Sequence, residues 1–189
     1  MKKNFQTPQE IRQQIWKELG RASQDRHHAW RTPVLATVDD YGAVNARTVV
    51  LRSVDQASQT LQIFTDQRSP KVVEIVNEPK AIFVFWSARL NWQLRVRVCV
   101  SNQAYGPHVE ANWQRVKQTA AVADYLGALA PGSPCPETFS APILPQQTNN
   151  FTLLIAQVTE IDWLELGRAG HRRASLLQNT WQWLARKIG

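Results

Sequence analysis

The segment "FTDQRSPK", residues 64–71, takes the chain from a strand into a helix in a single step. "TLQIFT" (60–65), rich in β-branched and aromatic residues, reads as the strand. Ser69 suits a helix N-cap and Pro70 the first helical position. Val72, Val73, Ile75 and Val76 are predicted as the buried stripe of a short helix from Ser69 to Asn77, stopped by "NEP". Arg68 and Lys71 then place two cations at the end of a helix that favours anions. A docked phosphate would make that placement sensible. It would meet free backbone N–H groups, the positive end of the helix dipole, both cations and the hydroxyl of Thr65. Without such an anion the two cations are simply solvated.

Strand patterns extend on both sides of this junction. "VLATV", a turn at "DDYG" and "AVNARTVVLRSV" read as a hairpin. "KAIFVFWS" and "WQLRVRVCVS" are two further strands. The second alternates, with Trp92, Leu94, Val96, Val98 and Val100 on a core face and Gln93, Arg95, Arg97 and Cys99 on a face that meets something polar. "FTLLIAQVTEIDWLEL" and "RRASLLQ" are late strands, and "TWQWLARKIG" closes the chain as a strand or short helix. A first helix over about 8–26 opens with the capping-box pattern "TPQE" and carries Ile11, Ile15, Trp16, Leu19 and Ala22 on one face. A second long helix opens at Pro107, with Val109, Trp113, Val116, Ala120 and Ala123 aligned. A Pro- and Ser-rich loop follows over about 129–147. Strands with short turns and a helix inserted among them predict a mainly β fold, a small β-barrel with helices packed outside. The 189 residues suit one domain spanning the whole chain.

Composition narrows the function classes. The chain is 43% hydrophobic and carries eight tryptophans, as a globular protein would. No apolar run approaches the length of a membrane span, and "MKKNFQTPQEIRQQ" is too polar for a secretory signal. Two cysteines, Cys99 and Cys135, make neither a disulfide framework nor a metal cluster, so a reduced, cytoplasmic protein is expected. The net charge of +7 raises a nucleic-acid reading. Its 22 Lys and Arg are dispersed with no long run, which favours an ordinary basic surface with no nucleic-acid partner.

Nucleotide-binding glycine loops, Cys-x-x-Cys pairs and the Gly-x-Ser-x-Gly elbow are absent from the sequence. His27 and His28, adjacent in the chain, diverge too widely to share a metal, and none is expected. His108 stands near a helix start. His171, in "GRAGHRRA", sits among three arginines. Arg47 and Arg52 bracket the apolar run Thr48, Val49, Val50 and Leu51. Their odd spacing sends them to opposite faces of a regular strand unless a bulge re-aims one of them.

"RTVVLR" (47–52), "FTDQRSPK" (64–71) and "NWQLRV" (91–96) in this order resemble the pyridoxamine 5′-phosphate oxidase family of FMN-binding split barrels. "VTEIDWLELGRAGHRRASL" (158–176) is similar to that family's closing motif in its shorter, oxidase-related branch. The resemblance spans about Pro33 to Leu176. It implies FMN as cofactor, held by Arg47 and the strand through Thr48, Val49, Val50 and Leu51, by Phe64 and Thr65, and by Ser69 and Lys71 at the phosphate. Gln93, Trp163 (or Leu164) and Arg173 would complete the cofactor contacts, and Arg52 would stand where the oxidases have a lysine near flavin and substrate. It also implies a homodimer with its FMN sites between subunits.

The departures fall on the substrate side, for which Arg52, Trp113, Lys117 and His171 are the candidates. Pro70 replaces a phosphate-gripping arginine. Lys117 stands near the place of a substrate arginine, with no serine in the following turn. The family's late Arg-x-His reads Ala169-Gly170-His171, with Arg168 adjacent. The expectation is an FMN-dependent oxidoreductase with an altered site for a small-molecule substrate. Its alternatives are a genuine pyridoxamine or pyridoxine 5′-phosphate oxidase and a non-enzymatic flavin-binding protein. No catalytic acid or base is assigned.

Overall fold

The computed structural model describes residues 7–134, 149–167, 170–177 and 180–184. Helix α1 (Pro8–Gln24) precedes strands β1 (Val34–Val38), β2 (Val44–Thr48), β3 (Leu51–Asp55) and β4 (Thr60–Asp66). Helix α2 (Pro70–Asn77), strands β5 (Lys80–Ser87) and β6 (Trp92–Gln103), and helix α3 (Pro107–Val116) follow. A 3₁₀ turn (Ala120–Tyr125) and strands β7 (Phe151–Glu165), β8 (Arg172–Leu177) and β9 (Thr180–Trp183) complete the described elements.

The strands form one antiparallel sheet in the order β2-β1-β5-β6-β7-β4-β3, with β8 and β9 added beside β7. The two ends of this path, β2 and β3, are consecutive in the chain and separated only by Val49 and Val50. The span from Thr48 to Leu51 can reach at most about 11 Å, so the sheet's ends meet without a ladder between them. This is the split of the barrel. The predicted single strand "AVNARTVVLRSV" is therefore two strands serving opposite edges. At the break, Val49 N–H donates to the Pro33 carbonyl at 3.0 Å and Leu51 N–H to that of Arg31 at 2.9 Å. The β3–β4 register shifts between Leu51 and Ser53, a bulge at Arg52 of the kind that the Arg47–Arg52 spacing left open.

The core lies inside the barrel. Trp92, Leu94, Val96, Val98 and Val100 of β6 are buried, as the alternation predicts, together with Phe83 and Phe85 of β5 and Leu154, Ile161 and Trp163 of β7. Helix α1 covers β3 with Ile11, Ile15 and Leu19, all fully buried. Its capping box is formed, with Glu10 N–H donating to Thr7 Oγ1 at 3.3 Å and Thr7 N–H to Glu10 Oε2 at 3.1 Å. A second apolar cluster lies where α3 and the 3₁₀ turn meet β4 and β7, built from Val109, Trp113, Tyr125, Phe151 and Leu153.

Three expectations are corrected. Helix α2 buries Val72, Ile75 and the carboxylate of Glu74, while Val73 and Val76 are 54% and 65% exposed. The second long helix ends at Val116, where Thr119 folds back on the Val116 carbonyl through both its N–H and its hydroxyl. Ala120 and Ala123 belong to the separate 3₁₀ turn and do not extend the buried face. The first helix stops at Gln24, two residues short of its predicted end. Most of the Pro-rich loop and Arg168 and Ala169 lie outside the described residues.

Candidate functional site

Strand β4 ends where α2 begins, and this junction gathers Thr65, Ser69 and Lys71. Ser69 is the N-cap residue of α2, but its hydroxyl makes no capping bond to the helix. It turns toward Thr65 and Lys71. The Lys71 ammonium donates to Thr65 Oγ1 and to Ser69 Oγ, each at 2.9 Å, and the two hydroxyls lie 3.2 Å apart. Ser69 is 1% exposed. Among the described residues Lys71 makes no ion pair. Burial, and then the nearby Arg47, push its ammonium below the ordinary lysine value, against the opposing pull of Asp66 and Glu74. A desolvated ammonium whose partners are two hydroxyls keeps a third N–H to give. The hydroxyls accept from it, and at least one O–H is free to point outward. The arrangement suits an oxyanion.

Arg47 approaches this cradle from β2. Its Nη2 donates to Glu74 Oε2 at 2.9 Å and its Nη1 to Thr37 Oγ1. Thr37 Oγ1 in turn donates to Glu74 Oε2, and Asn45 Nδ2 donates to Glu74 Oε1 at 3.0 Å. Glu74, Thr37 and Asn45 are site residues that sequence reasoning missed. Arg68, read beside Lys71 as a phosphate partner, is used differently. It pairs with Asp66 and donates to the carbonyls of Gly127, Ala128 and Leu129.

The barrel split adjoins the cradle. Thr48 is exposed and Val49 partly buried, whereas Leu51 is fully buried, so that only the backbone of Leu51 can face a ligand. At the bulge, the Arg52 guanidinium lies over the Phe64 ring at 5.4 Å and close to the Tyr125 phenol, and its buried Nε has no partner among the described residues. Tyr125 is 5% exposed; burial raises its pKa, with Arg52 pulling in the opposite direction.

Gln93 and Arg173 occupy the outer sheet face elsewhere on the barrel. The register aligns Trp86, Gln93, Leu164 and Arg173 across β5, β6, β7 and β8. Arg173 is pinned by Asp162, which also takes Arg95. Burial pushes the Asp162 carboxyl up, but the bonds from Arg173 and Arg95 outweigh it and hold the pKa below the ordinary value. Trp163, expected at the cofactor, points into the core, fully buried beside Trp92. Leu164 is the residue that shares the outer face with Gln93 and Arg173. Among the described residues no hydrogen bond, ion pair or ring contact joins this row to the Lys71 cradle.

The substrate candidates separate further. Trp113 is buried between Tyr125 and Phe151, with the Lys117 ammonium 5.7 Å from its ring centroid. Arg52 meets the same cluster through Phe64 and Tyr125. His171 is exposed and accepts the Gly167 N–H through Nδ1 at 3.3 Å, at the far end of β7 from that cluster. No helix among the described residues is long and apolar enough to cross a membrane.

Residues 13–100 match the family described as pyridoxamine 5′-phosphate oxidase, FMN-binding domain. A pyridoxine/pyridoxamine 5′-phosphate oxidase of Thermobifida fusca is 42% identical over 77 residues, a match that spans 34% of this chain and 34% of that protein. The chain thus aligns with about a third of this curated relative's length. A pyridoxamine 5′-phosphate oxidase-related, FMN-binding protein of Nostoc punctiforme superposes with a TM-score of 0.71 at 25% identity, over 95% of this chain and 98% of that one. PhzG of Burkholderia lata, solved with tetrahydrophenazine-1-carboxylic acid, shares the fold at a TM-score of 0.68 and 13% identity, over 97% and 98% of the two chains. The strand–helix junction at residues 64–71, the split barrel around it and these likenesses agree: residues 13–100 are similar to the FMN-binding domain of the pyridoxamine 5′-phosphate oxidase family, within a chain that has the split-barrel fold.

Proposed function

We propose that the protein is an FMN-dependent oxidoreductase, acting as a homodimer on a small molecule through a substrate face unlike that of the oxidases. One observation carries the reading: Lys71 is half-buried, has no carboxylate partner among the described residues, and faces two hydroxyls and a second cation. That donor set fits the phosphate of FMN, with Arg47, Thr65, Ser69 and Lys71 as its holders. The Nε of Arg52, unpartnered among the described residues, and the backbone of residues 48–51 fit the edge of a flavin ring. When bound, FMN supplies hydride acceptance and passes electrons to oxygen or another acceptor. The chain's own groups bind and orient. Lys71 and Arg47 neutralise the phosphate, and Arg52, fixed by Phe64 and Tyr125, presents a cation on the substrate side. The aromatic cluster around Trp113 and Phe151 excludes water there.

Gln93, Leu164 and Arg173 form a second set of contacts that fits the cofactor of a partner copy. The outer face of β1 and β5 supports such a partner. Ala36, Val38 and Ile82 line a cavity of about 320 Å³ on it together with Lys80 and Arg97, and Val84 and the 45%-exposed Trp86 continue the same face of β5. The altered substrate side rests on Lys117 being engaged with Trp113.

The test is titration of the purified protein with FMN, followed by its visible absorption. The wild-type protein is expected to acquire a flavin spectrum. Lys71→Ala is expected to weaken binding by about 10- to 100-fold, the loss of one charge-assisted hydrogen bond of about 1.5–3 kcal/mol. Unchanged affinity in Lys71→Ala sinks the phosphate assignment. Peroxide release with pyridoxine 5′-phosphate at rates typical of an oxidase would replace the altered-substrate reading with the genuine oxidase.

A further inference from the structure

Helix α2 breaks the pattern that its sequence favours. Turning Val73 and Val76 inward would bury two valines and free Glu74 to solvent; the helix instead exposes both and buries the carboxylate to 6%. Apolar burial argues against that orientation, so another contact must account for it. The Glu74 carboxylate is bound by side chains of β1 and β2, Arg47 among them. It accepts from Arg47, Thr37 and Asn45, and Thr37 also accepts from Arg47, which closes a three-membered ring of Arg47, Thr37 and Glu74. Thr37 is 1% exposed, so the ring is sheltered from water where hydrogen bonds and charges are strong. Three elements, β1, β2 and α2, are tied together at this carboxylate.

The electrostatics point the same way. Arg47 and Lys71 are close enough for Arg47 to depress the Lys71 pKa, and Glu74 acts on Lys71 in the opposite sense. Two desolvated cations facing one site repel each other before any anion arrives. A carboxylate one helical turn from Lys71, bound to the guanidinium, offsets that repulsion and fixes the direction of Arg47.

Resting on the phosphate reading above, we propose that Glu74 is the positioning residue for Arg47. It holds the guanidinium toward the cradle and so sets the protein's preference for FMN over riboflavin, the same ring system without the phosphate. Glu74 touches no ligand in this assignment and acts through Arg47.

The experiment compares FMN and riboflavin affinities of the full chain in wild type, Arg47→Ala, Glu74→Ala, Glu74→Gln and the Arg47→Ala/Glu74→Ala double variant. Glu74→Ala is expected to weaken FMN on the order of tenfold, with riboflavin unchanged. The double variant should be little weaker than Arg47→Ala alone, the signature of two residues acting as a unit. Should Glu74→Ala fail to fold, Glu74→Gln reads the same quantity, since it keeps the size and loses the charge. Equal losses for FMN and riboflavin would reduce Glu74 to a packing role and overturn the proposal. So would strict additivity with Arg47→Ala, or tighter FMN binding once the carboxylate is gone. If Lys71→Ala and Arg47→Ala also leave FMN affinity intact, the phosphate reading itself fails. If those two weaken FMN and Glu74→Ala does not, only this inference fails.

Discussion

Glu18 gathers four side chains at one buried carboxylate. Oε2 accepts from His28 Nε2 and from Arg89 Nη2, both at 2.8 Å, and Oε1 from Gln14 at 2.8 Å and Arg21 at 3.3 Å. His28 Nδ1 accepts the Trp30 N–H, so its other nitrogen carries the proton that it gives to Glu18. Burial pushes the Glu18 carboxyl up, yet His28, Arg89 and Arg21 together hold it below its ordinary 4.5. A depressed folded-state pKa means stability that is fully present above about pH 4.5 and lost as pH falls through the folded value. Glu18→Gln should therefore cost about 2–3 kcal/mol at neutral pH and flatten the acid limb of stability, as read by urea unfolding across pH 3–7. At this scale the sequence was legible where spacing carries chemistry: Thr65, Ser69 and Lys71 meet as the strand–helix junction suggested. Glu74 was illegible because amphipathic reasoning assigns a carboxylate to solvent and valines to the core, and a buried ion pair inverts both. Of the pair Trp163 and Leu164, the structure turns Trp163 into the core and Leu164 to the outer face, since neighbouring strand residues face opposite sides.

The faces of strand β6 were readable because its period of two runs over a long stretch with one face wholly apolar, although the strand continues two residues further, to Gln103. The break at Val49 and Val50 was not, because both valines favour strand and nothing local marks the point where the partner changes from β1 to β4. The end of α3 was missed because "KQT" has acceptable helix propensity, and the Thr119 fold-back that stops it is a local side-chain competition. The connection after the 3₁₀ turn has its own anchor. Arg68 clasps the carbonyls of residues 127–129 beside its Asp66 pair, and Gly132, at φ +84°, lies 3.9 Å from the Pro70 ring when a Cβ is placed on it. Arg68→Ala should release this turn from α2. Limited subtilisin digestion followed by mass spectrometry should show faster cleavage at 127–134, with the α1 and β6 segments as slow as in wild type. Equal protection in the variant would mean that the turn is held by other contacts.

For the whole molecule, the division of the candidate contacts into a cradle at α2 and a row on the outer face makes dimerisation and cofactor binding one event in the proposed function. Val84 sits on that outer face opposite Arg95 and Val34. Val84→Arg places a new cation on an apolar patch that already borders Arg95 and Arg97. The expected result is a monomer by analytical ultracentrifugation whose FMN affinity falls in parallel, while circular dichroism remains that of the wild type. A monomer with full affinity would confine the cofactor to one copy. The barrel's overall class was legible because strand count, short turns and the inserted helix constrain it, whereas strand order depends on pairings distant in sequence. Strand β7 shows this best: it lies between β6 and β4, and pairs residues 151–157 with 60–66. Such non-local closure slows folding and orders it. A chain emerging from the ribosome carries β4 and β6 with bare edges until residues 151–165 arrive to cover both. During synthesis those two edges are open templates for a neighbouring chain, and the interval between them and β7 is when chaperones have the most to protect.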